Sequence, residues 1–210
     1  MDDAEAKAWL DVPRETLERL ELFIDLLRAE NERQNLVSKG SLDHVWSRHI
    51  VDSAQLLRFS GASEGSWIDL GTGAGFPGMV VALLRSGPVT LVESRKLRVD
   101  FLIRARDALS LAERVEIVCA NVQTLPPRPF DTISARAFAP LGKLLELGER
   151  FAAPTTRWVL PKGKNAKSEL AAVESLWQGE LRLEPSLTDP DAQIIVAEHV
   201  RRRERGKKRR

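Results

Sequence analysis

The run Asp69-Leu70-Gly71-Thr72-Gly73-Ala74-Gly75-Phe76-Pro77-Gly78 sets glycines at alternate positions directly after a short apolar segment, Trp67 to Leu70. Without a Cβ, such glycines let the chain turn tightly and let its backbone approach a ligand closely. The apolar stretch that follows reads as a helix, whose first turn offers free N–H groups and the positive end of a dipole, suited to a ligand carboxylate. Pro77 fits that first turn, where its missing donor costs nothing. Glu93 closes the next apolar run, Val89 to Val92, where a carboxylate can accept from both hydroxyls of a ribose. Together these residues make a nucleoside-binding unit. The segment Gly73 to Gly78 also fits the dinucleotide fingerprint, so the loop by itself leaves the choice of nucleoside cofactor open.

Such a loop needs strands and helices to hold it, and the pattern from Trp67 onward supplies them. Predicted strands at Trp67–Leu70, Val89–Val92, Val115–Val118, Thr132–Ser134 and Arg157–Leu160 alternate with helices at Gly78–Arg85, Arg95–Leu109, Leu141–Phe151 and Ser168–Trp177. That alternation implies a mostly parallel α/β sheet covered on both faces. Two late strands, near Leu181 and at Gln193–Ala197, follow without an intervening helix and predict an antiparallel hairpin at one end. Ligands of open parallel sheets bind at the carboxyl ends of the strands. Those ends carry Asp69 to Gly75, then Glu93, then Asn121-Val122-Gln123, then Ser134-Ala135-Arg136, then Lys162-Gly163. The first sixty residues read as helices: Leu17, Leu20, Ile24 and Leu27 recur at helical spacing through about Asn31, and Ser41 suits the N-cap of a second long helix to about Phe59. The expected organisation is a helical extension (1–60), an α/β domain (61–200) and a tail (201–210).

The tail carries the charge. Residues 201–210 hold eight basic side chains and one acid, a net +7, which leaves the body 24 basic and 29 acidic side chains, a net −5. Such a block reads as a disordered arm that either solubilises the terminus or contacts nucleic acid. The single cysteine, Cys119, forms no internal disulfide, as fits a reducing compartment. The start, Met1-Asp2-Asp3-Ala4-Glu5, is acidic where a secretory leader is basic, and the longest apolar run is too short to span a bilayer. A cytoplasmic protein is expected, acting as a monomer, with no membrane association and no metal.

The stretch Asp69-x-Gly71-x-Gly73 resembles the first motif of the class I S-adenosylmethionine-dependent methyltransferases, whose strand-end acid faces the cofactor's methionine ammonium and whose sheets commonly end in a hairpin. The Asn/Asp-Pro-Pro-aromatic loop used for exocyclic amines is absent, and Cys119 lacks the preceding proline expected of a nucleophile for pyrimidine carbon-5. Guanine N7 needs neither device, because it has a lone pair and no hydrogen. Catalysis there reduces to positioning and desolvation. An NAD-dependent oxidoreductase would share the glycine loop but lacks a Tyr-Lys proton donor, there being no Tyr. The same residues also fit a methyltransferase of another RNA or of a small molecule, and a non-catalytic RNA-binding protein. The basic tail and the site Arg and Lys residues favour RNA.

The chain is similar to a known family, the bacterial 16S small-subunit ribosomal RNA guanine-N7 methyltransferases called RsmG or glucose-inhibited division protein B (GidB). The likeness rests on Asn31 and Asn35-Leu36, on Arg48-His49-Ile50-Val51-Asp52-Ser53, on Gly71 to Gly78, on Ser134 to Ala139 and on Lys162-Gly163. It implies S-adenosyl-L-methionine as cofactor, held by Asp69, Gly71, Gly73, Gly75, Phe76, Val122, Gln123 and Arg136, with Glu93 on the ribose. It also implies that Arg48, His49, Arg136 and Lys162 face the RNA, in 16S ribosomal RNA or the small ribosomal subunit, and serve the chemistry. Read without the family, Arg48 and Asp52 at i,i+4 spacing make an ordinary helix salt bridge, and His49 a satisfied core histidine. Leu97 stands where the family often has a lysine, with Arg98 retained, and Asn121 and Gln123 where it often has Arg and Glu.

Overall fold

The computed structural model describes residues 1–203. The helical extension contains α1 (Asp3–Trp9), α2 (Arg14–Asn31) and α3 (Lys39–Leu42), then a π-helical turn (Trp46–Val51), α4 (Asp52–Ala54) and a 3₁₀ turn (Gln55–Phe59). The α/β part follows as β1 (Trp67–Leu70), α5 (Gly78–Leu84), β2 (Val89–Glu93), α6 (Lys96–Ala108), β3 (Val115–Cys119), β4 (Phe130–Ser134), α7 (Leu141–Gly148), β5 (Ala152–Lys162), α8 (Ala166–Val173), β6 (Trp177–Pro185) and β7 (Gln193–Arg202). Seven strands form one sheet in the order β3-β2-β1-β4-β5-β7-β6. The first five are parallel, and β7 pairs antiparallel with both β5 and β6. The predicted parallel sheet and terminal hairpin are both present.

Successive strand side chains point to opposite faces, and the core divides accordingly. Trp67, Val89, Leu91, Val159 and Val196 face a core shared with Leu20, Phe23, Ile24 and Leu27 of α2 and with α5 and α6. Ile68, Leu70, Val92, Trp158 and Ile195 face the other, closed by α7 and α8. The extension therefore completes one face of the sheet.

α1 lies within the sixty residues that read as helical, and Asp2 and Glu5 close a capping box at its start. Three local expectations are corrected. The second helix starts at Ser38, whose side chain accepts from the Ser41 amide, so Ser41 is not the cap. Nor is that helix continuous to Phe59. The Asp3 carboxylate accepts from the amides of Trp46 (3.3 Å) and Ser47 (2.9 Å), and the chain resumes as the π-helical turn. At the other end β7 runs through Arg202, beyond the boundary at 200. Arg202 pairs with Glu149 and lies over the Trp177 ring, and Arg203 donates to the carbonyls of Glu174 and Trp177. The rest of the basic tail, 204–210, lies outside the described residues.

Candidate functional site

β1, β2, β3, β4 and β5 end on one edge of the sheet, where two clefts open. The first, about 380 Å³, lies over the ends of β1, β2 and β3 and includes Gly71, Glu93, Arg98, Asn121, Val122 and Gln123 in its walls. The second, about 620 Å³, runs between the extension, the β5 end and the β6–β7 loop and includes Arg48, His49, Arg136, Lys162, Glu169 and Asp189. Ala137 and Phe138 line both, so the clefts meet there. Ala137 has a φ of 51°, a left-handed conformation that is costly for a residue with a Cβ. This bend follows β4 and sets Phe138 against the glycine loop.

Gly71 has a φ of 70°, and a Cβ on it would overlap the Phe138 ring. Glycine is required there on both counts. Gly73 (φ 61°) donates its amide to Glu93 Oε2 at 3.1 Å, while Glu93 Oε1 accepts from the Arg95 amide at 2.8 Å. Arg98 stands 3.6 Å from Oε2. Glu93 thus ties the loop to β2. A carboxylate has about four lone-pair sites, so acceptor capacity remains for ribose hydroxyls.

Asp69 is fully buried, and burial pushes its pKa above the ordinary carboxylate value against the pull of its hydrogen bonds. Its Oδ1 accepts from Ser134 Oγ (2.7 Å) and its Oδ2 from the Gly78 amide (3.0 Å), while Ser134 Oγ accepts from Trp67 Nε1 (2.8 Å). Both oxygens are therefore engaged inside the protein. This differs from the expectation that Asp69 faces the cofactor's ammonium, and it also occupies a helix-start amide expected to be free for a ligand. Gly75 and Phe76 likewise lie behind the loop: a Gly75 Cβ would crowd Met79, Phe23 and Leu102 at 3.1–3.2 Å, and Phe76 is buried beside Phe23. Of the residues expected at the cofactor, Gly71, Glu93, Val122 and Gln123 line the first cleft. Asp69, Gly73, Gly75 and Phe76 shape it without lining it, and Arg136 lines the second.

In the second cleft the side chains form one network. The Arg136 guanidinium lies over the Phe76 ring (5.0 Å) and donates to Asp52 Oδ2 (3.0 Å), to the Arg48 carbonyl (3.3 Å) and to His49 Nδ1 (3.1 Å). Arginine has only donors, so His49 Nδ1 is the acceptor and the imidazole proton sits on Nε2, which is buried with no partner among the described residues. Burial, followed by the charges of Arg136 and Arg48, lowers the His49 pKa to about 3, so the ring is neutral. It stacks on Phe76 at 4.7 Å. His49 is therefore a buried histidine, as expected without the family, but only half satisfied. The i,i+4 salt bridge is absent: Arg48 pairs with Asp189 at 3.0 Å across the cleft, and Asp52 serves Arg136. Asp52 Oδ1 also accepts from Gln55 (3.0 Å) and Thr188 (3.0 Å), joining the extension to the β6–β7 loop. Lys162, at the end of β5, donates to the Ala139 carbonyl and to Glu169, both at 2.8 Å. Asp52 as a hub, Asp189 and Glu169 were not found from sequence. Nothing local marks them except the Asp at i+4 from Arg48, whose partner lies far along the chain. No three metal-ligating side chains converge among the described residues.

A seven-stranded sheet with a terminal hairpin, a glycine cradle after β1 and an acid ending β2 define a class I S-adenosylmethionine-dependent methyltransferase fold. An O-methyltransferase from Bacillus cereus, solved in complex with S-adenosylhomocysteine, superposes with a TM-score of 0.64 at 16% identity, over 93% of this chain and 96% of that one. Within that class, residues 16–189 match the family model GidB, rRNA small subunit methyltransferase G, and the chain belongs to that family. It is 50% identical to the ribosomal RNA small subunit methyltransferase G of Rhizorhabdus wittichii, over 99% of this chain and 98% of that one. It is 53% identical to that of Novosphingobium aromaticivorans, over 92% and 87%.

Proposed function

We propose that this chain transfers the methyl group of S-adenosyl-L-methionine to N7 of a guanine in small-subunit (16S) ribosomal RNA. The observation that carries the reading is the meeting of the two clefts at Ala137 and Phe138, one walled by Glu93 and the apolar Val122, the other by Arg48, Arg136 and Lys162. The cofactor fits the first cleft by its donor set: Glu93 for the ribose hydroxyls, Val122 and Leu147 as apolar walls for an adenine, and the glycine backbone at Gly71 for close approach. Bound there, it supplies an electrophilic methyl on a sulfonium.

The chain's own residues have three tasks. Arg48, Arg136 and Lys162 draw the polyanion to the second cleft. Phe138, between the clefts, shields the transfer path from water. The N7 lone pair needs no proton removed, which fits a cleft whose one histidine is buried, neutral and bonded to Arg136. Purified protein incubated with labelled methyl donor and small-subunit ribosomal RNA, followed by nucleoside mass spectrometry, tests the reading. Label in 7-methylguanosine is the expected outcome; label in any other nucleoside overturns the choice of N7.

A further inference from the structure

We propose that Glu169 is a specificity-determining residue that reads the N1–H of the acceptor guanine, beside Lys162 reading its O6. The inference rests on the guanine-N7 transfer proposed above. Three carboxylates line the second cleft: Asp52, Asp189 and Glu169. Asp52 spends Oδ2 on Arg136 and Oδ1 on Gln55 and Thr188. Asp189 spends Oδ2 on Arg48 and Oδ1 on the Asp191 amide. Glu169 differs. Its Oε2 accepts both Lys162 Nζ (2.8 Å) and the Leu141 amide (2.6 Å), which leaves Oε1 without a protein donor among the described residues. The side chain is 26% exposed, at the cleft wall.

An open carboxylate oxygen is an odd fitting in a cleft that takes a polyanion, because phosphate cannot be its partner. A base N–H can. Among the standard bases guanine offers a carboxylate the best match, with N1–H and the N2 amine adjacent on one edge. Lys162 completes the pattern. Its ammonium has three donors, and two are used on Ala139 and Glu169, so one remains. A donor and an acceptor side by side match O6 and N1–H, which are neighbours on the guanine ring. N7 lies on the far side of O6, so this grip leaves its lone pair free for the methyl. Glu169 is held in place from behind by the Leu141 amide, which fixes the acceptor before substrate arrives.

The test compares RNA carrying guanine at the mapped position with RNA carrying 2,6-diaminopurine there. That analogue keeps N7 and the N2 amine but puts an amine donor in place of O6 and a bare acceptor at N1. Wild type should methylate it at least ~100-fold less efficiently, since both contacts are reversed. In Glu169→Gln the gap should shrink by about tenfold or more: the Leu141 amide and Lys162 keep the carboxamide oxygen, so its NH2 faces the base, where it suits the bare N1 of diaminopurine and meets the N1–H of guanine. Affinity for S-adenosylmethionine and melting temperature should stay as in wild type. An unchanged gap overturns the proposal. So does an equal loss on both bases with a lower melting temperature, which marks a purely structural residue. Should the Gln variant not fold, Glu169→Asp carries the test: the retracted acceptor should lower guanine turnover by roughly tenfold while leaving diaminopurine turnover unchanged, and an equal fall in both overturns the proposal. Failure of the underlying reading is distinct, since wild type would then place no methyl on guanine N7 at all.

Discussion

The two clefts that meet at Phe138 are built on opposite plans. The cofactor-side cleft is backbone held by buried acids: Gly71 and Gly73 in left-handed conformations, Glu93 tying the loop to β2, Asp69 tying it to Ser134 and α5. The RNA-side cleft is side chain against side chain, drawn from the extension, the β4 end, the β5 end and the β6–β7 loop. A backbone cradle tolerates little, because a Cβ in the wrong place has nowhere to go. A side-chain network gives way in steps, since charged groups can re-pair or take water. Substitutions in the first cleft should therefore act together on fold and cofactor, and those in the second on transfer with the cofactor spared.

The largest effect is expected at the junction. Gly71→Ala places a Cβ on a left-handed residue and against the Phe138 ring. Strain and overpacking together should cost roughly 3 kcal/mol of stability. If the displaced ring enters the cofactor cleft, affinity should fall by on the order of a hundredfold. Gly73→Ala is the control: its nearest obstacle is the flexible Arg98 at 3.6 Å, so only the ~1–2 kcal/mol of left-handed strain remains. Calorimetry with S-adenosylmethionine and thermal unfolding separate the two. Equal effects at both positions would mean that the Phe138 ring does not police the junction.

The same contrast governs what could be read in advance. The first cleft is set by the glycine stretch and Glu93, whose signals are local: glycine spacing, a strand before and a helix after. Its other walls, Arg98, Asn121 to Gln123 and Ala137 to Phe138, come from later segments. Its inner wiring was less legible, because burial decides where Asp69 points and sequence does not record burial. The second cleft was visible only residue by residue. Arg136 and Lys162 declared themselves as charges at strand ends, yet their partners Asp52 and Glu169 are ordinary helical acids. The Arg48–Asp189 bridge joins positions 141 residues apart. The break in the second helix depends on Asp3, which lies 43 and 44 residues from the amides it binds.

In the RNA-side cleft, Lys162→Ala should leave cofactor affinity within about twofold and lower transfer by roughly ten- to a hundredfold, as losing one charge-assisted contact implies. Wild-type turnover would remove Lys162 from the RNA face. Arg136→Lys keeps the charge but loses the fork that serves Asp52, His49 and the Arg48 carbonyl together. It should reduce transfer without abolishing it. Smaller still is the contribution of residues 204–210, five bases and one acid. Truncation after Arg203, which spares β7, should flatten the log–log salt dependence of RNA binding by at most about 3.5, at ~0.7 per neutralised phosphate. Superimposable slopes would confine RNA recognition to the cleft.

The last effect concerns stability and tests the electrostatics of the RNA-side cleft directly. His49 is buried beside Arg136 and Arg48, with Asp3 pulling the other way, and its pKa is lowered from the usual 6.5 to about 3. The native state therefore refuses a proton that the unfolded chain accepts below pH 6.5. Stability from this group is complete above pH 6.5 and is lost as pH falls toward 3, at up to ~1.4 kcal/mol per pH unit. From pH 6.5 to 5 the loss approaches ~2 kcal/mol, a fall in melting temperature of about 4–8 °C for a chain of this size. Glu30, Asp131 and Asp189, with lowered pKa values, add losses of the same sign at lower pH, and Asp69, with a raised one, opposes them. All four persist in His49→Gln, whose carbonyl can still accept from Arg136 but does not titrate. The difference between the two melting curves, from pH 7 to pH 5, thus isolates His49. Convergence of wild type toward the variant on acidification is expected. Parallel curves would mean that His49 takes a proton in the folded protein near its ordinary pKa; it could then no longer accept from Arg136, and the network that holds that guanidinium over Phe76 would have to be redrawn.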